Sequence, residues 1–451
     1  MVTGACYHFD SAHSTGSGQG TKILVDCGLF QCPRVCEPQN YESFLFDVSK
    51  VEAVFITHAH IDHTGRIPKL FKEGFRGKIY STPPTKDLAR LMLEDSLGVM
   101  EKEAHREKTE LLFEFEDIER AFKKWEGVEY HDEVAVGDFK VRLLDAGHVL
   151  GSAMIEITAP DGKSGQMKKI LVSGDIGNPP TPLLRSTEIV HDASIMLIES
   201  TYGNRTHEGR EQRKLRLERI IEDTVRNVGV LMIPAFSLER TQELLFEIND
   251  LVTRGRVPMV PTFLDSPLAI KATNIYSKYE NYFNKEAQYV AGSGDQLFKF
   301  PMLKFTLKTE ESKAINEVPA PKIIIAGSGM STGGRILHHE RRYLPDPNST
   351  LLIMGYQAAG SRGRQIQDGA KEVEMFGERV PVRCRVETLE GYSGHPDRDM
   401  LIKFVEHSVD SLEQVFCVQG EAEAALFLVQ RIRDYLGVQT RAPRLGDSFE
   451  V

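Results

Sequence analysis

The segment Thr57-His58-Ala59-His60-Ile61-Asp62-His63 closes an apolar, β-branched run, VEAVFIT at 51–57. The run reads as a buried strand, so its side chains alternate and His58 and His60 share one side at its end. Asp62 and His63 follow in a turn and face a second point a few ångströms away. Imidazoles with a carboxylate suit a borderline cation such as Zn²⁺, and a strand-end loop leaves room for a water beside it. The competing reading is a polar loop of satisfied histidines. A chain carrying this segment has to bring further polar groups to the same sheet edge, which limits the folds open to it.

Two other apolar runs end in suitable groups. VRLLD is followed by Ala146-Gly147-His148, and KILV by Ser173-Gly174-Asp175. Each is weak alone, because a single His or Asp at a strand end is commonly a turn or cap residue. With His58 to His63 they complete two adjacent sets of donors, and the two oxygens of Asp175 suit a bridging role. Between the first two runs, 85–125 reads as mostly helical. From 204 the pattern changes to helix (210–227), strand (230–236), helix (238–253), strand (258–265), helix (270–283), then strands at 322–329 and 349–356 around a helix at 335–343. That alternation predicts a parallel, doubly wound sheet. After Asp368 the segment VEMFGERVPVRCRVETLE looks antiparallel. A helix after Pro396, a strand at 415–420 and a last helix at 421–436 follow.

Composition narrows the function classes. The 451 residues correspond to two or three domains. With 65 acidic against 55 basic side chains and a formal charge of −10, bulk positive charge cannot hold nucleic acid, so any such contact is local. No apolar run approaches the ~18 residues of a membrane span, and the start MVTGACYHFD lacks a signal-peptide pattern. The expectation is a soluble cytoplasmic protein without membrane partners, and a homo-oligomer is compatible with it. Cys6, Cys27, Cys32, Cys36, Cys384 and Cys417 include no C-x-x-C pair and read as reduced thiols. The first cluster of three lacks a fourth partner and zinc-ribbon spacing.

The order Asp26, His58-x-His60-x-Asp62-His63, His148, Asp175 resembles the metallo-β-lactamase fold. Glu199 in ESTYG and His395 in GYSGHPD resemble its β-CASP branch of RNA-processing nucleases, which includes the pre-mRNA 3′-end cleavage endonuclease, RNase J and prokaryotic relatives. The likeness covers essentially the whole chain, with SGMSTGGRILHH (328–339) and GYQAAGSRGRQ (355–365) among its motifs. It implies an α/β chain: an αββα sandwich formed by 1–203 and 366–451, interrupted by an inserted doubly wound β-CASP domain at 204–365. It also implies a strand before Val2-Thr3-Gly4, so the sequence either starts inside a longer gene product or lacks that edge strand.

The resemblance further implies two Zn²⁺ sites. One is held by His58, His60, His148 and Asp175, the other by Asp62, His63 and Asp175, with Asp26 behind them orienting a ligand. In the family the second ion takes a histidine from a V-H-G-E segment, and here the sequence reads Val418-Gln419-Gly420-Glu421. A glutamine offers only a neutral carbonyl oxygen, so this site is expected to be weaker, to take a harder ion such as Mn²⁺, or to fill only with substrate. His395 is implied as general acid, positioned by Glu199. The plain alternative for His395 is a helix-start residue before Pro396.

RNA is the implied partner, in the cleft between the domains. Ser328, Gly329, Met330 and Ser331 follow a strand and are expected to offer backbone N–H groups to phosphate. Arg205, Arg210, Arg213, Lys214 and Arg216 are interleaved with Glu208, Glu211 and Glu218, which reads as a solvated helix face. Arg362 and Arg364 have fewer acidic neighbours and are the expected phosphate contacts. The leading reading is a metal-dependent ribonuclease cutting single-stranded RNA internally, and from an end as a further mode. An RNA-binding scaffold with weakened catalysis, or a small-molecule hydrolase of the same fold, are the alternatives.

Overall fold

The computed structural model describes residues 3–11, 20–31, 37–161, 165–207, 212–355, 357–358 and 360–451. Met1, Val2, Cys32, Cys36, Glu208, Arg210, Glu211, Tyr356 and Ala359, which figure in the sequence reading, lie outside them. Contacts divide the chain into two compact units. The first comprises Met1–Pro179, Arg185–Thr206 and His395–Val451. The second comprises Pro180–Leu184 and His207–Gly394.

The first unit begins with a five-stranded sheet in chain order: β1 (Tyr7–Asp10), β2 (Lys22–Val25), β3 (Ala53–Phe55), β4 (Lys78–Ser81) and β5 (Trp125–Gly127). β1 and β2 are antiparallel, and β2 to β5 run parallel. Parallel neighbours need crossovers, and between β4 and β5 these are the helices Pro83–Glu107 and Phe115–Lys123. The helical region expected at 85–125 is therefore two helices and a strand. A meander follows, β6 (Glu133–Val136), β7 (Phe139–Asp145), β8 (Ala153–Pro160) and β9 (Met167–Val172), and β10 (Ile195–Glu199) pairs parallel to β9.

In the second unit β11 (Val230–Pro234), β12 (Thr262–Leu264), β13 (Leu303–Phe305), β14 (Lys322–Ala326) and β15 (Thr350–Met354) join one parallel sheet. β11, β14 and β15 are buried at every residue, as strands covered on both faces must be. The hairpin β16 (Glu372–Met375) and β17 (Glu378–Pro381) is antiparallel as the sequence suggests. β18 (Arg385–Leu389) is not: it pairs parallel with β15 and completes the sheet order β13-β12-β14-β11-β15-β18. That pairing keeps the chain in the second unit to Gly394, beyond the return expected at residue 366.

The basic run also differs from its reading. The helix Arg213–Arg226 does not carry Arg213 on a solvated face: the guanidinium is buried, pairs with Glu247 at 3.0 Å and bonds Gly391 O at 3.2 Å. Arg216 donates to Thr388 O and Lys214 pairs with Asp250.

Back in the first unit, the helix Arg398–Glu406 leads to β19 (Gln414–Val418), parallel to β10, and the helix Ala422–Leu436 to β20 (Thr440–Arg441). The seven strands order as β20-β19-β10-β9-β8-β7-β6. Alternation decides what each face does. Val141, Leu143, Ile155, Ile157 and Leu197 meet Ile23, Val25 and Phe55 of the other sheet, while Leu144, Met154, Met196 and Ile198 face Leu401, Val405, Leu428 and Ile432 of the two helices. Two sheets face to face, with helices outside, form the expected sandwich. Among the described residues no helix is long and apolar enough to cross a membrane, and Cys6, Cys27, Cys384 and Cys417 are free thiols.

One buried charge cluster holds the second unit's sheet edge. Asp265, just after β12, accepts from Thr306 Oγ1 (2.7 Å), Arg335 Nη1 (2.7 Å), Ser312 Oγ (2.6 Å) and His339 Nε2 (2.8 Å). Burial opposes its ionised form, but these donors, His339 foremost, bring its carboxyl down to about 2. A folded-state value below the unfolded ~3.9 means a stabilisation present above about pH 4 and lost as pH falls through 2. Asp265→Ala, which leaves Arg335 and His339 without their partner, is expected to cost about 3 kcal/mol. Urea unfolding at pH 7 reads this as a lower midpoint, and the variant's stability should lack the wild type's fall between pH 4 and 2. An unchanged midpoint would show that the cluster is dispensable.

Candidate metal centre

Most chemistry-bearing side chains of the first unit stand where a strand ends or just past it, and His395 lies on the loop before the helix Arg398–Glu406. β2 runs into Asp26, β3 into Thr57 and His58, β7 into the turn holding His148, β9 into Asp175, β10 closes on Glu199, and β19 runs into Gln419. His60 caps the short helix Ile61–Thr64, which carries Asp62 and His63. Two glycines let the backbones close in. A Cβ on Gly28 would lie 1.5 Å from Asp62 O, and Gly174, between Ser173 and Asp175, has φ +54° with Thr57 against it.

Behind the ligands sits Asp26, with no solvent exposure. Its Oδ1 accepts the Thr57 backbone N–H at 2.8 Å, and its Oδ2 accepts Thr57 Oγ1 at 2.8 Å and His63 Nδ1 at 2.7 Å. With Nδ1–H donated to a carboxylate, His63 turns Nε2 into the site, where a bound cation would take the place of its proton. Burial opposes the charged form of His63, but Asp175, Asp26 and Asp62 outweigh it and raise its pKa well above the ordinary imidazole value. His58 behaves oppositely. Burial, then the neighbouring His63, holds it well below that value, so it is a neutral imidazole with a lone pair to give.

The donor atoms converge. His58 Nε2 lies 3.0 Å from His60 Nδ1 and 3.5 Å from Asp175 Oδ2, and His148 Nε2 lies 3.8 Å from that oxygen. The four donors all fall within 4.8 Å of one another. Ligands about 2.1 Å from a tetrahedral ion stand about 3.4 Å apart, so these spacings and this chemistry fit a divalent cation. The other oxygen of Asp175, Oδ1, faces His63 Nε2 at 3.4 Å, and Asp62 Oδ2 is 3.9 Å from the same nitrogen. Asp175 is thus one carboxylate facing two donor groups. Although burial raises carboxyl pKa values, His63 and His58 hold that of Asp175 well below the usual range. Burial raises that of Asp62, against the opposing pull of His63.

Gln419 faces this second group. Its Nε2 is 3.0 Å from His63 Nε2, it is buried, and its backbone takes φ +52° while its carbonyl accepts Thr201 Oγ1 at 3.1 Å. Which of the two nitrogens donates depends on the protonation of His63, and a flip of the amide would turn the Gln419 oxygen to the same space.

His395 adjoins the first group, its ring 4.7 Å from that of His148 between centroids. Its Nδ1 is 2.9 Å from Glu199 Oε2, and Glu199, fully buried, accepts the Ile176 N–H on Oε1 at 2.8 Å. Burial raises the Glu199 pKa, with His395 opposing. His395 keeps about a quarter of its side chain exposed. Sequence reasoning missed Thr57, which clamps Asp26, and Ser173, whose hydroxyl accepts the Glu199 N–H at 3.0 Å. Their only signal is a hydroxyl residue directly beside a motif residue.

The residues expected to meet phosphate lie in the second unit, where several of their polar groups bond within the loop. Ser328 Oγ accepts the N–H groups of Thr332 (3.0 Å) and Gly333 (3.1 Å), while the N–H groups of Ser328 and Ser331 bond Gly333 O and Ser328 O. Met330 O accepts Gly363 N–H, Gly329 O accepts Gln357 Nε2, and the buried Ser331 hydroxyl donates to Glu340. The loop spends these groups on itself. Arg362 bonds Ser331 O at 2.6 Å and Glu374 O at 2.9 Å, and Arg364 Nε is held by both oxygens of Asp368. Arg362 Nη2 and both Nη groups of Arg364 have no part in these bonds.

A sandwich with imidazoles and carboxylates gathered at its strand ends, interrupted by a doubly wound unit, defines a metallo-β-lactamase-fold hydrolase with an insertion. Three domain families match: the Metallo-beta-lactamase superfamily domain over residues 17–172, the Beta-Casp domain over 241–366, and the Zn-dependent metallo-hydrolase RNA specificity domain over 379–443. The chain is 37% identical over 442 residues to Ribonuclease TTHA0252 of Thermus thermophilus, covering 98% of this chain and 97% of that one. It is 32% identical to an RNase J-like protein of Methanocaldococcus jannaschii (98% and 97% covered) and 32% identical to the transcription termination factor FttA of the same organism (96% and 68%). A crystal structure of an Enterococcus faecalis protein of unknown function shares the fold, with a TM-score of 0.54, 13% identity and 98% of each chain covered. The chain belongs to the β-CASP family of metallo-β-lactamase-fold nucleases.

Removing a donor tests the centre directly. Asp175→Ala is expected to lose bound metal more completely than His58→Ala, since only Asp175 faces both donor groups. Elemental analysis of the purified proteins reads the outcome, and full occupancy in Asp175→Ala would remove the assignment.

Proposed function

We propose that this protein is a zinc-dependent ribonuclease that hydrolyses phosphodiester bonds within single-stranded RNA in the cytoplasm. The observation that carries the reading is the juxtaposition, in one unit, of the His58, His60, His148 and Asp175 donors with the buried Glu199–His395 pair. The relatives' names and the RNA-specificity family match over 379–443 supply the substrate class. A scaffold without catalysis is not favoured, because the first donor group is complete. A small-molecule hydrolase is not favoured either, given the inserted unit.

In this reading His58, His60, His148 and Asp175 would hold a first ion, and Asp62, His63 and Asp175 a second, with Gln419 beside it. Divalent ions there supply Lewis acidity, lowering the pKa of water and offsetting charge on the phosphodiester. The chain's own groups do the rest. Asp26 fixes the His63 tautomer, and Asp175 spans the donor groups. Glu199 accepts the Nδ1–H of His395, which leaves Nε2 as the atom that gives a proton to the leaving oxygen. The Ile176 N–H on Oε1 keeps the Glu199 carboxylate aimed at the ring.

His395→Ala is expected to keep its metal and lose about 10²–10⁴-fold in turnover of labelled single-stranded RNA, the usual contribution of a general acid. An RNA with a better leaving group at the scissile bond should recover much of that loss. Wild-type turnover in the variant would exclude His395 from the mechanism.

Gln419→His places an imidazole where the amide now faces His63. An imidazole is the better donor to a borderline cation, so zinc stoichiometry should rise towards two and the metal concentration for half-maximal cleavage should fall. Superimposable titrations with equal bound metal would mean that Gln419 contributes nothing to the site.

A further inference from the structure

Phe236 stands apart from the catalytic groups, at the C-terminal end of β11, and is 39% exposed although the strand before it is buried throughout. Its ring is backed by glycine. A Cβ on Gly329 would lie 2.6 Å from Cδ2, 2.8 Å from Cε2 and 2.9 Å from Cγ of the ring. Near-equal distances to three consecutive ring atoms place that direction over the face of the ring, since an edge-on approach would leave Cγ and Cε2 much further away than Cδ2. One face of Phe236 therefore lies on Gly329, whose missing side chain makes the contact possible.

The surroundings suit a ligand with a flat apolar part and polar edges. β11 leads to β12 on one side of the sheet and its neighbour β15 leads to β18 on the other, so the loops after β11 and β15 part in opposite directions. In open parallel sheets ligands bind at such a parting, beyond the carboxyl ends of the strands. Hydroxyls lie near Gly327, two residues before Gly329: a Cβ there would be 3.5 Å from Ser266 Oγ and 3.9 Å from Ser237 Oγ. Glu239, three residues after Phe236, takes φ +62°, a conformation that costs energy for a side-chain-bearing residue and recurs at binding sites.

We infer that Phe236 is a stacking platform for one nucleobase of a single-stranded RNA, a subsite within the second unit. The inference rests on the ribonuclease reading and extends it to how substrate is held. Stacking on a fixed ring is tolerant of base identity, because every base has a π face. A stacked base contributes equally to substrate and transition state, so its loss appears in KM.

The test uses the full chain, its bound metal, and a single-stranded RNA oligonucleotide whose cleavage and 2-aminopurine fluorescence are followed together. Phe236→Ala is expected to raise KM about tenfold, within the range for one stacked base, with the greater part of the effect in KM rather than kcat, and to reduce fluorescence quenching on binding. Phe236→Trp should keep wild-type KM. Phe236→Leu, which preserves apolar packing on Gly329 but has no π face, should behave like Ala. Wild-type KM in the Ala or the Leu variant would overturn the platform while leaving the ribonuclease reading intact. Wild-type protein that neither binds nor cleaves the RNA would overturn the ribonuclease reading, and the platform with it.

Discussion

The carboxylate of Asp26, fully withdrawn from solvent, accepts the backbone N–H and the hydroxyl of Thr57 and the Nδ1 of His63. A buried charge is tolerated only when its lone pairs are filled, and here the filling groups come from the two segments that must be held in register. The end of β2 is thereby tied to the end of β3 and to the helix that follows it. The same bonds fix which nitrogen of His63 faces the donors. Were the carboxylate to move, the tautomer, the ring orientation and the backbone path into His58 would change together.

Much of this was legible in the sequence because the motif residues sit beside strongly apolar runs. The strands ending at Thr57, Asp145, Val172 and Glu199 are short, β-branched and bounded by polar turns, so each donor could be placed at a strand end without knowing the pairing. The doubly wound unit was legible for the same reason: runs such as KIIIA and TLLIM have no polar face and belong in a covered parallel sheet. β18 was not, because its residues are half-buried and polar, RVETL, and only its pairing with β15 makes it part of that sheet. Arg213 was misread for a related reason. Its neighbours in sequence are acidic, but its partner Glu247 lies far along the chain, and no local pattern reports a buried ion pair of that separation.

Backbone conformation carries a second kind of information that composition hides. Asp26 at φ +60° and Gln419 at φ +52° both adopt the left-handed region although neither is glycine. Each such residue costs about 1–3 kcal/mol and persists where surrounding contacts over-determine it. At Asp26 the compensation is three hydrogen bonds to the carboxylate. At Gln419 it is the bond from Thr201 to its carbonyl and the contact of its amide with His63. Two of the nine such residues described thus stand on opposite sides of His63, each held by contacts that also place that imidazole.

The two donor groups are unlike in a way that follows from these residues. The first offers three imidazoles and one oxygen of Asp175, a nitrogen-rich set matched to a borderline cation. The second offers one imidazole, the carboxylates of Asp62 and Asp175 and an amide, an oxygen-rich set that shifts preference towards harder ions. Because Asp175 belongs to both, charge drawn to one group alters what the other can hold. Were both groups to hold a cation, the shared carboxylate would couple them, and the oxygen-rich group, with the neutral amide of Gln419 beside it, would be the weaker for a borderline ion.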